Sequence, residues 1–476
     1  MTRHRTLATV GSVVGAIALG LALVPVLDPA GAQGADTDRA VSTPRADPVY
    51  PAVGSPVLDA LHYDLALDWR RTQRRLIGEA TITFRAARTA SQVTLDLSDA
   101  LEVSGVTLDG EPVASSQNDG DLVVDAAVVR DERHVLVVDY AGTPEPLPAP
   151  ATRSDVSTVG WHSTRDGRVW TMQEPYGAST WYPVDDQPSD KASYTFEITA
   201  PAGWQGVANG RLIDTTTDPA TGRPTTTWRL DSPMSSYLAT VSIGRFRHAR
   251  VAAGHGRHID LWVPRDRADR FIHRLGSAGA GLQWLERKLG RYPFDSLGIL
   301  VNDSGTGMET QTMVTLDASP GPTSPSTVVH EFAHQWYGDL VTPSTWRDVW
   351  MNEGMATYLQ AVWDAGHSQQ PLRYAVSVWK DYDAELREKY GAPAAYNPAS
   401  FASANVYYPP ALMWHTLRQK LGDRLFWRLV RAWPRSRAYG NAGYDAITGW
   451  WSRESGRDLD SFFHRWLLST RSPVGS

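Results

Sequence analysis

The sequence predicts a multidomain chain: an N-terminal domain of antiparallel β-sheet, followed by an α+β, mostly helical domain. Three observations carry that reading. Leu61, Tyr63, Leu65, Leu67 and Trp69 alternate with more polar residues, the period of a half-buried strand, and similar short runs recur to about residue 250. From Arg267 onward the apolar spacing turns helical, through Phe271, Leu275, Leu282 and Leu285. In that second half, His330-Glu331-Phe332-Ala333-His334, with Glu353 downstream, places metal-ligand residue types at helical spacing.

Taken in order, the chain opens with a targeting segment. Arg3, His4 and Arg5 precede an apolar run from Leu7 to Val26, and Ala30-Gly31-Ala32 offers a small-residue cleavage site. Residues 1–32 read as a signal peptide, with a retained membrane anchor as the alternative. The protein is expected to be secreted, without stable membrane association once the signal is removed. Cysteine is absent, which excludes disulfides and any lipid anchor on a cysteine. The net charge is −6, and removing two arginines and one aspartate with the signal leaves −7. That balance, without a basic cluster, argues against nucleic acid as a partner.

Residues 33–55 lack periodicity and are rich in Ala, Asp, Thr and Pro, which predicts a flexible leader. Residues 56–250 form the β domain, with further strands expected at Glu79–Phe84, Val93–Leu97, Leu122–Val129 and Val135–Tyr140. Turn signals at Asp109-Gly110 and Asp119-Gly120 separate them. Residues 251–476 form the second domain. The 19 tryptophans are read as packing for domain seams rather than as stacking surfaces.

The metal motif has its own helix signals. Ser324 can cap, Pro325 suits the first turn, and Val328, Val329, Phe332 and Trp336 supply an apolar face. His330 and His334 then project from one face, with Glu331 beside them. A second helix is expected from about Asp348 to Ala365, stopped by Gly366. It would carry Glu353, eighteen residues after His334, to the same ion. Two histidines on an apolar helix can also be plain core residues, but two imidazoles, one carboxylate and an open fourth position form a catalytic zinc set.

His330-Glu331-x-x-His334 followed by Asn352-Glu353-Gly354 resembles the gluzincin metallopeptidases of the M1 aminopeptidase family. Several other segments match it. Trp170–Pro188 contains Gln173-Glu174 before an aromatic-Pro element and Asp185-Asp186, and resembles the family stretch in which a Gln-x-Glu glutamate binds the substrate's free amino terminus. On composition alone Glu174 would be a surface loop residue. Thr306-Gly307-Met308-Glu309-Thr310 resembles the Gly-x-Met-Glu-Asn exopeptidase motif, with Thr306 and Thr310 as departures. Ser232–Leu238 resembles the exit from the family's β domain. Val406-Tyr407-Tyr408-Pro409-Pro410-Ala411 resembles the segment bearing the transition-state tyrosine, with Pro409 and Pro410 in place of Lys-Gly; Tyr407 is favoured over Tyr408.

The resemblance implies a saddle-like β domain, a thermolysin-like catalytic domain, and a short form without the large C-terminal helical domain, hence a more open cleft. It implies one Zn²⁺ per chain on His330, His334 and Glu353, and Glu331 as general base. Tyr407 would stabilise the oxyanion. Glu174 and Glu309, with the Gly307-Met308 backbone, would bind a peptide's free N-terminus. Asp339, where Asn is usual, would orient a ligand or simply end the helix. A monomeric zinc aminopeptidase acting on peptides follows. An endopeptidase or other metallohydrolase on the same scaffold, and an inactive peptide-binding module, are the alternatives.

Overall fold

The computed structural model describes residues 37–368 and 370–475, so the expected signal peptide lies outside the described residues. The N-terminal half is built on an eight-stranded sheet. Its strand order is Arg211–Thr217, Pro224–Met234, Ala192–Thr199, Leu58–Arg70, Arg75–Ala86, Arg133–Gly142, Leu101–Leu108 and Glu111–Pro112. The alternation read at Leu61–Trp69 is the strand Leu58–Arg70, whose odd positions from Tyr63 onward are buried. Neighbours in this sheet are antiparallel except Leu58–Arg70 against Ala192–Thr199, which run parallel, with Tyr63 opposite Tyr194. The strand expected over Leu122–Val129 ends at Val124, because Asp125 donates to Ala114 and Ala126 folds back onto Val124.

A second, five-stranded sheet contains Val169–Met172 and Val241–Gly244, so the chain returns to the β half after Ser232–Leu238. The change of sheet comes at Arg245. Phe246–Gly254 pairs with Arg257–Pro264, and this hairpin continues through Gly298–Asn302 and Met313–Asp317 to the edge strand Gly307–Met308.

Helices fill the remainder. Three matter for the site: α1 (Pro325–His334), α2 (Trp350–His367) and α3 (Tyr408–Leu421). The expected start of α1 is found: Ser324 Oγ accepts from Thr327 N at 3.2 Å, with Pro325 at the first helical position. The expected stop of α2 is not. The helix runs through Gly366 to His367 and closes where Ser368 N donates to the Asp364 carbonyl. Pro409 and Pro410 lie in the first turn of α3, where missing N–H groups cost nothing. Pro410 packs on Gly354 of α2, where a Cβ would come 2.5 Å from Pro410 Cβ.

Parts of the segment expected as a flexible leader are instead packed, beginning at Ala40. Asp47 is buried, and its carboxylate accepts from Trp346 N at 2.6 Å; Tyr50 Oη donates to the Pro398 carbonyl at 2.9 Å. Those partners lie about 300 residues away, so local composition carried no sign of them. Tryptophans do fill the seam between halves, as in the edge-to-face pairs Trp228–Trp262 and Tyr237–Trp346.

Candidate active site and metal centre

The helical spacing of α1 brings His330 and His334 to one side, their ring centroids 4.9 Å apart. α2 packs alongside and places Glu353 Oε2 at 3.4 Å from His330 Nε2 and 3.5 Å from His334 Nε2. That oxygen is buried and has no hydrogen-bond partner among the described residues. An oxygen left without a donor between two imidazole nitrogens is what a bound cation satisfies, and two nitrogens with one carboxylate suit zinc.

Each histidine is held from behind. His330 Nδ1 lies 3.1 Å from Gln360 Oε1, Gln360 Nε2 donates to Ser326 Oγ at 2.9 Å, and Ser326 Oγ donates to Asp364 at 2.8 Å. His334 Nδ1 faces the Tyr337 carbonyl at 3.2 Å. Both contacts direct Nε2 toward Glu353. Burial pulls His330 below its ordinary pKa, leaving it neutral as a ligand requires. Burial acts the same way on His334, but the charges of Glu309 and Glu353 outweigh it and raise its pKa well above the ordinary value. Burial pushes Glu353 up, and His334 with His330 overrides it, keeping the carboxyl below its usual range.

All nine residues singled out from the sequence line one cavity: Glu174, Gly307, Met308, Glu309, His330, Glu331, His334, Glu353 and Tyr407. Glu331 is buried beside Gly307, and burial raises its pKa well above the carboxylate range. Glu174 and Glu309 are both buried, and each keeps one carboxyl oxygen without a hydrogen-bond partner among the described residues, that of Glu309 lying 3.9 Å from His334 Nδ1. Burial raises both pKa values, with neighbouring carboxylates adding to it. The Glu309 carbonyl accepts from Gln335 Nε2 at 2.8 Å, which fixes the edge strand against α1.

The departures from the motif are absorbed locally. Thr310 Oγ1 donates to the Met313 carbonyl and contacts Thr315 Oγ1 at 3.0 Å, so its hydroxyl serves the strand turn. Asp339 does not end the helix, which closes at His334 with Gln335 as its cap; the Asp339 N–H donates to the His334 carbonyl at 3.0 Å, and its buried carboxylate oxygens find no hydrogen-bond partner among the described residues. Tyr407 faces the cavity and stacks at 6.3 Å on His330, whereas Tyr408 begins α3 and does not line it.

Two contributors escaped the sequence reading. Arg153, from a loop of the β half, also lines the cavity and donates to Tyr407 Oη at 3.0 Å. Nothing local marks it. Gln360 had a usable signal, since it follows Glu353 by seven residues and so shares its helix face. The cavity has a volume of about 100 Å³. The Arg153 loop narrows it by joining the segment before α3: Phe401 N donates to the Pro150 carbonyl at 2.8 Å, and Thr152 Oγ1 meets Ser403 Oγ at 3.0 Å.

The sequence matches the family model "Peptidase M1 N-terminal domain" over residues 59–238 and "Peptidase family M1 domain" over residues 291–466. The chain belongs to peptidase family M1. Among M1 proteins it is similar to aminopeptidase N of Streptomyces lividans, 24% identical over 426 residues, covering 80% of this chain and 48% of that protein. Aminopeptidase N of Lactococcus lactis subsp. lactis is 24% identical over 455 residues, covering 87% and 51%. The chain thus spans about half the length of these relatives. An M1 zinc metallopeptidase of Deinococcus radiodurans, solved as a mutant bound to a Tyr-Ser-Ala substrate, superposes with a TM-score of 0.79 at 25% identity, covering 90% of this chain and 98% of that one. A two-domain M1 zinc metallopeptidase bound to L-arginine gives 0.76 at 26% identity with the same coverage. The two-part architecture of a β half and a helical catalytic half is therefore the two-domain M1 arrangement. No helix among the described residues is long and apolar enough to cross a membrane.

Proposed function

We propose that this M1 protein is a secreted, monomeric zinc aminopeptidase that removes N-terminal residues from peptides. One observation carries the reading. Two buried carboxyl groups, Glu174 and Glu309, each with an oxygen that accepts no hydrogen bond among the described residues, share a single cavity with the His330–His334–Glu353 set. A free ammonium group would satisfy both oxygens, and a blocked or internal peptide would leave them bare. The relative that binds Tyr-Ser-Ala, a short peptide, supports the same substrate class.

One zinc ion held by His330, His334 and Glu353 would supply Lewis-acid polarisation of the scissile carbonyl and an acidified water. Glu331, with its pKa raised by burial, is suited to take the water's proton and deliver it to the leaving amine. Tyr407 would donate to the carbonyl oxygen as charge develops on it. Glu309 and Glu174 would fix the amine end, and with it the position of the first peptide bond.

The test is hydrolysis of aminoacyl-fluorophore substrates, each paired with its N-acetylated form, before and after chelation and zinc restoration. Zinc-dependent cleavage of the free-amine forms alone is expected. Equal cleavage of the blocked forms would remove Glu174 and Glu309 from their roles and favour an endopeptidase. Unchanged hydrolysis in Glu331→Gln would overturn the proton-transfer role.

A further inference from the structure

The catalytic half assembles a basic patch that the linear sequence does not display as a run. Arg424, Arg428, Arg431 and Arg435 recur at intervals of four, three and four along the helix Asp423–Ser436. That spacing confines them to one helix face over about 17 Å, and all four are exposed. The opposite face, with Phe426, Leu429, Val430 and Trp433, is buried. Like charges three and four residues apart repel, so the stripe opposes the helix that bears it. Asp423, the one carboxylate on this helix, is already clamped by Arg418 at 2.8 and 2.7 Å.

The end of the helix Ala278–Leu289 extends the patch. Arg431 donates to the carbonyls of Arg287 and Lys288, and a Cβ on Gly290 would run into Arg435 Nη2. A groove of about 770 Å³ lies between the two elements, lined by Arg287 and Arg291 from one and Arg431 from the other. Two carboxylates stand near it. Glu286 is taken up by Arg257 at 2.6 Å, and Asp295, exposed four positions after Arg291, forms no ion pair among the described residues. Setting Asp295 against Arg291 still leaves Arg287, Lys288 and the whole stripe without a carboxylate partner among the described residues. Burial, then the charges of Arg418, Arg287 and Arg431, pulls the Lys288 ammonium below its ordinary pKa against the charge of Asp423. In a chain of net charge −6 this is a segregated positive region.

Its composition narrows the partner. No large apolar side chain on these two helices is exposed, and Trp427 is covered by Lys288 and Arg418, 4.3 and 5.2 Å from its ring centre. The patch therefore offers nothing to anchor in lipid or to stack on a nucleobase. A recessed groove admits a thin chain and excludes a flat bilayer. Guanidinium groups converging from two elements suit a tetrahedral phosphate, whose oxygens point several ways, better than a planar carboxylate met by a single fork.

We propose that this patch is a docking surface for a linear phosphodiester polymer without bases, held through its backbone charge. Docking there leaves the zinc cavity free, since the groove and that cavity share no lining residue.

The test is fluorescence anisotropy of a labelled glycerol-phosphate oligomer of about twelve units with the zinc-loaded protein, a readout independent of turnover. Binding is expected at low salt and should weaken as salt rises. Arg424→Glu combined with Arg428→Glu should weaken it about tenfold or more, and should flatten the slope of log K against log salt by about 1 or more. Arg130→Glu combined with Arg165→Glu changes the net charge equally at two exposed positions of the β half, and should alter binding less than about twofold. No binding at low salt, or equal weakening by the two double variants, would overturn the surface. So would binding about tenfold tighter to a thymidine or glutamate oligomer of the same length. Adsorption to vesicles of equimolar phosphatidylglycerol and phosphatidylcholine, without binding of the oligomer, would replace the polymer with a membrane and overturn it too.

Discussion

Arg153 and Tyr407 lie 254 positions apart, in different halves of the chain, and are joined by a 3.0 Å hydrogen bond over the zinc site. The guanidinium donates to the phenol oxygen, and its other face is clamped by Asp155. Accepting a charge-assisted hydrogen bond polarises the phenol and makes its own O–H a stronger donor. Burial, followed by the charge of Glu353, raises the Tyr407 pKa well above its ordinary value, and Arg153 opposes that rise.

Arg153 should therefore act through Tyr407 rather than on the substrate. Arg153→Gln is expected to lower kcat about tenfold with KM nearly unchanged, against a loss of about 10² or more for Tyr407→Phe. The double variant should be no worse than Tyr407→Phe alone. Additive losses in steady-state kinetics would give Arg153 an independent role.

Gly307 faces the general-base candidate at close range. A Cβ there would sit 2.3 Å from Glu331 Oε1 and 2.9 Å from its Cδ. The strand cannot simply withdraw, since Gly307 pairs with Leu316 and Met308 with Thr315. Gly307→Ala should displace Glu331 and cut kcat about 10²-fold, with zinc content preserved. Metal analysis beside kinetics distinguishes this from general unfolding; wild-type turnover would show that Glu331 tolerates the shift.

How much of this was legible follows the range of the interactions involved. The cap at Ser324, the turn at Pro325 and the spacing of His330 and His334 are local, and α1 forms as they require. Gly366 failed as a stop because a glycine ends a helix when the chain turns there, and Gly366 keeps helical geometry to His367. The parallel pairing of Leu58–Arg70 with Ala192–Thr199 joins strands more than a hundred residues apart, which alternation alone does not register. The Arg153 loop and the contacts of Asp47 and Tyr50 are of the same kind, with partners fixed only by the tertiary fold.

Gln360 supports His330 through an amide whose orientation is set by Ser326 and Asp364. With Nε2 committed to Ser326, Oε1 is left to accept from His330 Nδ1, and the lone pair of His330 Nε2 faces the metal position. Gln360→Ala should weaken zinc binding roughly 10-fold to 100-fold, as read by competition with a chelator. With excess zinc, kcat should recover most of its value. Unaltered affinity would mean that α1 alone orients the ring.

Asp96 bears on the segment that carries Glu174. Its carboxyl accepts from Gly54 N at 3.1 Å and Asp186 N at 2.9 Å, while Asp186 in turn accepts from Gly177 N and Ala178 N. Burial, then the charge of Asp186, pushes Asp96 up to about 7 from 3.8. With its folded pKa raised, the folded chain binds more protons than the unfolded one between about pH 4 and 7, so this group's contribution to stability falls as pH rises through that window. Asp96→Asn keeps an acceptor oxygen and cannot ionise, so it escapes the loss. The difference in unfolding free energy, variant minus wild type, should therefore grow from pH 5 to pH 8, by an amount on the order of 2 kcal/mol, as read by chemical denaturation at each pH. Comparing the two proteins at each pH cancels the titration of the zinc ligands, which they share. A difference that stays flat across the range would mean that Asp96 is already ionised in the folded chain at pH 5.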